Sequence, residues 1–415
     1  MAGSILQNEI EEQEDASATK EENIQRPARS TTSPSCTEKT PPHPLHQLWR
    51  EASPTSRMPQ LRALRRARDH RDRARLIHPQ GAVRKHGLID SMHTPTQKVA
   101  LLFPGQGSQA VGMGKDLARA EPLAAAVFQK ADLVLGFSLS DLCWHGPKEK
   151  LRETQYTQPA ILTHSIALWR VLKAHLPEDS IACAAGHSVG QISALVAVGA
   201  LEFEAALHLV VARSQAMRAA GEETQGGMAA VLGLETETIE RICRDVRQDS
   251  GEVWIANDNC PGQCVISGSS TAVQDAILAL KASGARKVIP LAVSIPAHTP
   301  LMIPAQERFG RALQQTKFQD PRIPILGNVR ADILKSIQDI RADLYAQITS
   351  TVRWKESVLR IATMGVQHFL EVGTGNVLCG LQRRILPNAN CLPLDQPHIF
   401  DRLPSFIRSM GGEEE

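Results

Sequence analysis

The sequence predicts an α/β protein in which a small subdomain is inserted into a larger parallel-sheet body. Two observations carry that expectation. From Lys98 to about Pro387, short apolar runs of strand length alternate with longer segments of helical pattern, the order that builds a sheet covered by helices. Within this stretch, GMAAVLGL, ETETIERICRDVRQ, VWIAND, GQCVISG, STAVQDAILALKASG and RKVIPLAV run β-α-β-β-α-β, which is the ferredoxin-like pattern. The expected division is a body at 97–225 and 292–390, the ferredoxin-like subdomain at 226–291, and a C-terminal tail at 391–415.

Residues 1–96 have a different composition. NEIEEQEDASATKEEN is acidic, STTSPSCTEKTPPHP is a Ser/Thr/Pro linker, and RALRRARDHRDRAR is strongly basic. Such segments bury too little apolar surface to offset chain entropy, so a disordered extension is expected. The Arg-rich stretch resembles an organelle transit segment, which would direct the protein to the mitochondrial matrix. The acidic start argues against that reading and for a cytoplasmic protein.

The bulk numbers exclude several classes. A net charge of +2 gives no reason to expect nucleic acid or membrane as a partner. No apolar run approaches the roughly 20 residues of a membrane helix. The eight cysteines (Cys36, Cys143, Cys183, Cys243, Cys260, Cys264, Cys379 and Cys391) form no C-x-x-C pair, which suits free thiols in a reducing compartment. Cys260 and Cys264 have no histidine cluster beside them, so no metal site is expected.

Taken in order, VALLF (99–103) is an uninterrupted apolar run, as expected of a strand buried on both faces. It opens into GQGSQA (105–110), which fits the dinucleotide fingerprint G-x-G-x-x-G/A. That fingerprint needs a second strand ending in Asp or Glu about 20 residues on. The segment that follows, ARAEPLAAAVFQKADLVLG, is helical in pattern, and neither Glu121 nor Asp132 ends a strand. The loop therefore serves something other than a pyrophosphate. ILTHSIALWRVLKAHL predicts a helix, ACAAG a strand, and GQISALVAVGAL and FEAALHLVVARSQAMRAA further helices. After the subdomain, IPILGN and HFLEVG read as strands, with DLYAQITSTVRWKESVLRIATMG between them as one helix.

The strand ending at Gly186 runs directly into Gly186-His187-Ser188-Val189-Gly190 and then a helix. This is G-x-S-x-G in the strand-turn-helix setting that gives the motif its meaning. Glycines two residues either side of the serine remove side chains that would clash in so tight a turn. Ser188 is then exposed at a helix N-terminus, where backbone N–H groups favour developing negative charge. A nucleophilic serine needs a base. His298, in LAVSIPAHTPLM, lies in a Pro-flanked loop after a predicted strand, where a rigid scaffold positions functional groups. His187 adjoins the serine but points elsewhere on a tight turn, and His164, His175 and His208 read as helix surface or core.

FPGQGSQAVGMG, TQPAILTHSIAL, GHSVGQISALVAVGAL, MAAVLGL, PGQCVISG, VSIPAHTPLM and EVGTGNVLCGL occur in that order. Together they resemble malonyl-CoA:acyl carrier protein transacylases, the acyltransferases of fatty-acid and polyketide synthesis. The resemblance spans essentially everything after the extension and implies a hydrolase-like α/β body carrying the ferredoxin-like insertion. It implies that Ser188 attacks the thioester of malonyl-CoA with His298 as base. It also implies that the acyl carrier protein's phosphopantetheine thiol then takes the malonyl group, without any resident cofactor.

The backbone N–H groups of Gln106 and Val189 would form the oxyanion hole. Arg213, in VVARSQAMRAA, would grip the free malonyl carboxylate, for which a planar guanidinium is suited. The backbone carbonyl of Gln347 would orient His298 in place of an acid, and Asn328 would support the site. The expected partners are malonyl-CoA and the carrier protein, with the enzyme itself a monomer. Two departures stand out: Gln191 where the family usually has Glu, and Val189 where Leu is commoner in the fatty-acid enzymes. They leave a polyketide acyltransferase open. The rival outside the family, a serine hydrolase or thioesterase, shares the elbow but has neither Arg213 nor the insert.

Overall fold

A computed structural model of the chain describes residues 98–249, 251–395 and 400–410. The extension expected at 1–96 lies outside the described residues.

Strands β1 (Val99–Phe103), β2 (Ile181–Gly186), β7 (His368–Glu371) and β8 (Asn390–Pro393) form a wholly parallel sheet in the order β2-β1-β7-β8. The apolar run of β1 is explained by its central place. Val99, Leu101 and Phe103 join the main core on one face, while Ala100 and Leu102 join a second core on the other. No residue of β1 retains any exposure. No strand follows the glycine loop closely, which agrees with the failure of the dinucleotide reading. Helices Lys115–Ala120 and Pro122–Leu135 come next, and the next strand is β2.

The inserted block forms a separate antiparallel sheet of β3 (Gly226–Leu232), β4 (Val253–Cys260), β5 (Gln263–Ser269) and β6 (Lys287–Pro290), in the order β4-β5-β3-β6. Its alternation has a clear cause. Ala229 and Val231 pack with helices Thr236–Asp249 and Ser270–Ala282 in a core of their own, while Met228, Ala230 and Leu232 join the main core. The insert is thus docked by its second face.

Four expectations need correction. IPILGN is not a full strand: it touches β2 by the bridge Ala184–Ile325, held by Ala184 N–H to Pro324 O (2.9 Å) and Leu326 N–H to Ala184 O (3.0 Å). It then turns back on itself, because Gly327 N–H bonds Asp332 O and Leu334 N–H bonds Ile325 O. The single helix expected from Asp343 is two, Ile337–Gln347 and Trp354–Ala362. The break at 348–353 lets Val352 pair with the insert, through Val352 N–H to Ala256 O and Asp258 N–H to Val352 O. The expected tail is not all tail: among its described residues β8 pairs with β7, and helix Leu403–Met410 lies further on, with Leu403 buried in the main core. Finally, the cysteines are not all free. Cys379 and Cys391 form a disulfide, twelve residues apart, because helix Val377–Ile385 returns the chain beside β8. Five described cysteines remain free and buried.

None of the helices in the described residues is long and apolar enough to cross a membrane.

Candidate active site

Parallel strands all end at one edge, and the loops leaving that edge converge. Here β1 delivers the glycine loop, β2 delivers Ser188, and the 323–328 segment beside β2 delivers Asn328. The elbow depends on close backbone packing. A Cβ on Gly186 would lie 2.1 Å from Gly190 C, and one on Gly190 would lie 2.2 Å from Phe103 O. Ser188 itself sits at φ 52°, a left-handed conformation that a non-glycine residue keeps only when its surroundings hold it there. His298 is also left-handed, at φ 63°.

The structure brings Ser188, His298 and Arg213 together. Ser188 Oγ lies 2.9 Å from His298 Nε2 and 3.1 Å from Arg213 Nη2. His298 Nδ1 lies 2.7 Å from the Gln347 backbone carbonyl. A carbonyl only accepts, so Nδ1 carries the proton and Nε2 is left as the acceptor for the serine hydroxyl. Burial, and then the Arg213 charge, lower the His298 pKa to about 3, against the opposing pull of the Gln347 carbonyl. The imidazole is therefore an unprotonated base at neutral pH.

Arg213 comes from helix Phe203–Glu223 and is almost wholly buried. Burial lowers its pKa to about 10, which still leaves it charged. It has no carboxylate partner among the described residues: Nη1 donates to Gln158 Oε1 (3.0 Å) and Nη2 to Gln347 Oε1 (2.9 Å). Its buried Nε has no acceptor among them either. A buried cation held only by neutral groups is costly, and it is suited to receiving an anion from outside.

The remaining expected residues lie around the serine. Among the described residues, neither the Gln106 nor the Val189 backbone N–H donates to a protein acceptor. Val189 is the N-cap of helix Gly190–Ala197. The glycine loop reaches the elbow because Gly105 has no side chain; a Cβ there would lie 2.5 Å from His187 O. Asn328 bridges the elbow, accepting from Ser188 N–H (2.8 Å) and donating to Gly186 O (2.8 Å). His187 points away, as its turn requires, to Asn259 Oδ1 at 2.9 Å. His164 is core, 2.7 Å from Thr374 Oγ1, whereas His175 and His208 are exposed.

Sequence reasoning gave no role to Gln158, Asp343, Asn259 or Glu371. Asp343 accepts the N–H groups of Asn328 (2.9 Å) and Val329 (3.1 Å). Glu371, at the end of β7, accepts those of Leu378 (2.9 Å) and Cys379 (2.8 Å), and burial raises its pKa to about 8. Both carboxylates were visible only as polar residues in predicted elements, and nothing in the spacing told where their bonds would go. Gln158 lies inside the motif TQPAILTHSIAL, without any local signal of its partner.

The acyl transferase domain model matches residues 100–388. The malonyl CoA-acyl carrier protein transacylase of Haemophilus influenzae is 40% identical over 312 residues, covering 75% of this chain and 99% of that protein. The protein of the same name from Bacillus subtilis is 40% identical over 306 residues, covering 73% and 95%. Among solved structures, the malonyl CoA-acyl carrier protein transacylase of Coxiella burnetii is similar at a TM-score of 0.73 and 37% identity, covering 75% of this chain and 98% of that one. A malonyl-transacylase in complex with a type II PKS acyl-carrier protein is similar at a TM-score of 0.71 and 40% identity, covering 74% and 98%.

Proposed function

The chain belongs to the acyl transferase domain family, and from that premise we propose that it transfers a malonyl group from coenzyme A to the phosphopantetheine thiol of an acyl carrier protein, supplying extender units for fatty-acid synthesis. The observation that carries the reading is the placement of Ser188 Oγ between the unprotonated Nε2 of His298 and the buried Arg213 guanidinium.

In this reading His298 Nε2 takes the hydroxyl proton as Ser188 Oγ attacks the thioester carbonyl. The Gln106 and Val189 N–H groups receive the oxyanion. Collapse of the tetrahedral intermediate breaks the C–S bond, and the coenzyme A sulfur leaves with the proton from His298. The malonyl group is then held as an ester on Ser188. The carrier thiol repeats the sequence in reverse, giving its proton to His298 and finally restoring the serine hydroxyl.

Arg213 selects the acyl group. Its Nε–H and remaining donors meet the free carboxylate of malonate in a dry site, where a charge-assisted pair is strong. The Gln347 carbonyl keeps the imidazole in one tautomer without adding charge, and Asn328 fixes the elbow. A serine hydrolase is not favoured: the relatives at about 40% identity are transacylases, and a carbonyl rather than an acid stands behind His298.

The test is incubation with radiolabelled malonyl-CoA and purified carrier protein, beside Ser188→Ala. Wild type is expected to carry label on Ser188 and pass it to the carrier; the variant should lose roughly 10⁴–10⁶-fold in rate. A wild type that labels no serine and transfers nothing overturns the reading.

A further inference from the structure

The side chains behind the serine form a chain of hydrogen bonds with a fixed direction. Arg213 Nη2 donates to Gln347 Oε1 at 2.9 Å. Gln347 Nε2 then donates to Gln191 Oε1, and Gln191 Nε2 donates to Asp343 Oδ2 at 2.8 Å. The same Gln347 Nε2 also donates to Asn328 Oδ1 (3.1 Å) and to the Ser188 carbonyl (3.3 Å), so the guanidinium on one side and these acceptors on the other set the direction of the amide. A guanidinium has donors only, so Gln347 must turn its oxygen toward Arg213 and its nitrogen toward Gln191. Asp343 at the far end is an acceptor at both oxygens: Oδ2 also takes the Asn328 N–H (2.9 Å) and Oδ1 the Val329 N–H (3.1 Å). Neither amide can flip without setting donor against donor at one link.

All four side chains are buried: Gln191 and Gln347 have no exposure, Arg213 has 1% and Asp343 has 6%. Water therefore cannot repair a broken link, and an unmet buried donor is expensive. Asp343 and Gln347 lie four residues apart on helix Ile337–Gln347, which puts them on one face. The helix that supplies the carbonyl for His298 therefore also supplies the acceptor that ends the chain.

We propose that Asp343 and Gln191 are positioning residues for acyl-group selection: by setting the polarity of the relay they hold Gln347, and through it Arg213, in the orientation that receives the substrate carboxylate. The inference rests on the reading of Arg213 as the ligand of that carboxylate. Asp343 also holds the backbone of Asn328, whose side chain accepts the Ser188 N–H. Removing Asp343 alone thus disturbs the nucleophile together with the selector, and substitution at Gln191 separates the two.

The experiment measures kcat/KM for malonyl-CoA and acetyl-CoA in wild type, Gln191→Leu, Gln191→Glu and Gln347→Leu. Leucine is close to glutamine in size but can neither accept from Gln347 nor donate to Asp343, so the malonyl-to-acetyl ratio of Gln191→Leu is expected to fall tenfold or more. Gln191→Glu keeps the acceptor for Gln347 and is the residue the family usually has there, so its ratio is expected to stay within threefold of wild type. Gln347→Leu keeps the backbone carbonyl for His298 but removes the acceptor beside Arg213 together with the bonds to Asn328 and the Ser188 carbonyl, so its ratio should fall at least as far. It serves as the deciding variant if Gln191→Leu does not fold, as judged by circular dichroism.

A ratio within twofold of wild type in folded Gln191→Leu or Gln347→Leu overturns the inference. So does a Gln191→Glu ratio as low as that of Gln191→Leu, since the acceptor offered to Gln347 would then not be what sets the selectivity. Failure of the underlying reading looks different: wild type itself would then show no acylation, or no preference for malonyl over acetyl.

Discussion

The two sheets do different work, although both bury both of their faces. In the body, β2, β1, β7 and β8 are parallel, so their carboxyl ends share an edge. The glycine loop and Ser188 leave that edge on adjacent strands, and Asn328 leaves it beside them. In the insert, neighbouring strands are antiparallel and their ends alternate. No single edge gathers functional groups, and none of Ser188, His298, Arg213, Gln347 and Asn328 lies within it. The insert reaches the elbow through Asn259 at the end of β4, which holds His187. Strand direction, more than composition, decides which sheet carries chemistry.

The comparison can be broken most forcefully in the insert's own core. Leu280 is fully buried there, and Leu280→Ala is expected to cost about 2–5 kcal/mol of stability, measured by urea unfolding. The transfer rate per folded molecule should stay within about twofold of wild type. A folded variant with collapsed activity would show that the insert takes part in the chemistry.

Arg213→Ala acts on the body and should do the opposite. The malonyl kcat/KM is expected to fall about 100-fold, or ~2.7 kcal/mol, while acetyl transfer loses less. Equal losses would make Arg213 structural. The same variant has a pH signature. The His298 pKa is lowered to about 3, first by burial and then by the Arg213 charge. A base with a lowered pKa stays unprotonated as the pH falls, so wild type should show no acidic limb between about pH 8 and pH 5. Removing the guanidinium takes away the second cause, and the limb should move upward toward the usual histidine value of 6.5. A limb that stays in place would contradict the assignment of His298 as base.

The smallest effect tests the insert's reach to the elbow through Asn259. Asn259→Ala leaves a buried His187 nitrogen without its partner, at a cost of about 1–3 kcal/mol in stability and only a few-fold in rate. A rate loss as large as that of Arg213→Ala would erase the distinction between the two sheets.

Much of this was legible before any coordinates. Apart from β8, which falls in the expected tail, the strands of both sheets follow from runs such as VALLF and from the β-α-β-β-α-β order, because burial on both faces leaves an uninterrupted apolar run. The elbow follows from local backbone geometry: Gly186 and Gly190 are where no Cβ fits. What escaped depends on contacts between distant residues. The segment IPILGN has strand composition, yet whether it pairs is decided by the turn that Asp332 closes. The helix expected from Asp343 breaks because Val352 is drawn to Ala256, a partner nearly a hundred residues away in the insert.

The sequence by itself determined the fold class, the two-part architecture and the order of the chemistry-bearing residues, since periodicity and close backbone packing are local properties. The tertiary structure decided which groups face one another. Only the folded chain brings His298 Nδ1 to the Gln347 carbonyl, Asn328 to the Ser188 N–H, and Arg213 by way of two glutamines to Asp343. The physical reason is that a buried hydrogen bond is specified by both its ends. One chain position states what a group can donate or accept, but only packing decides which partner is near enough to answer it.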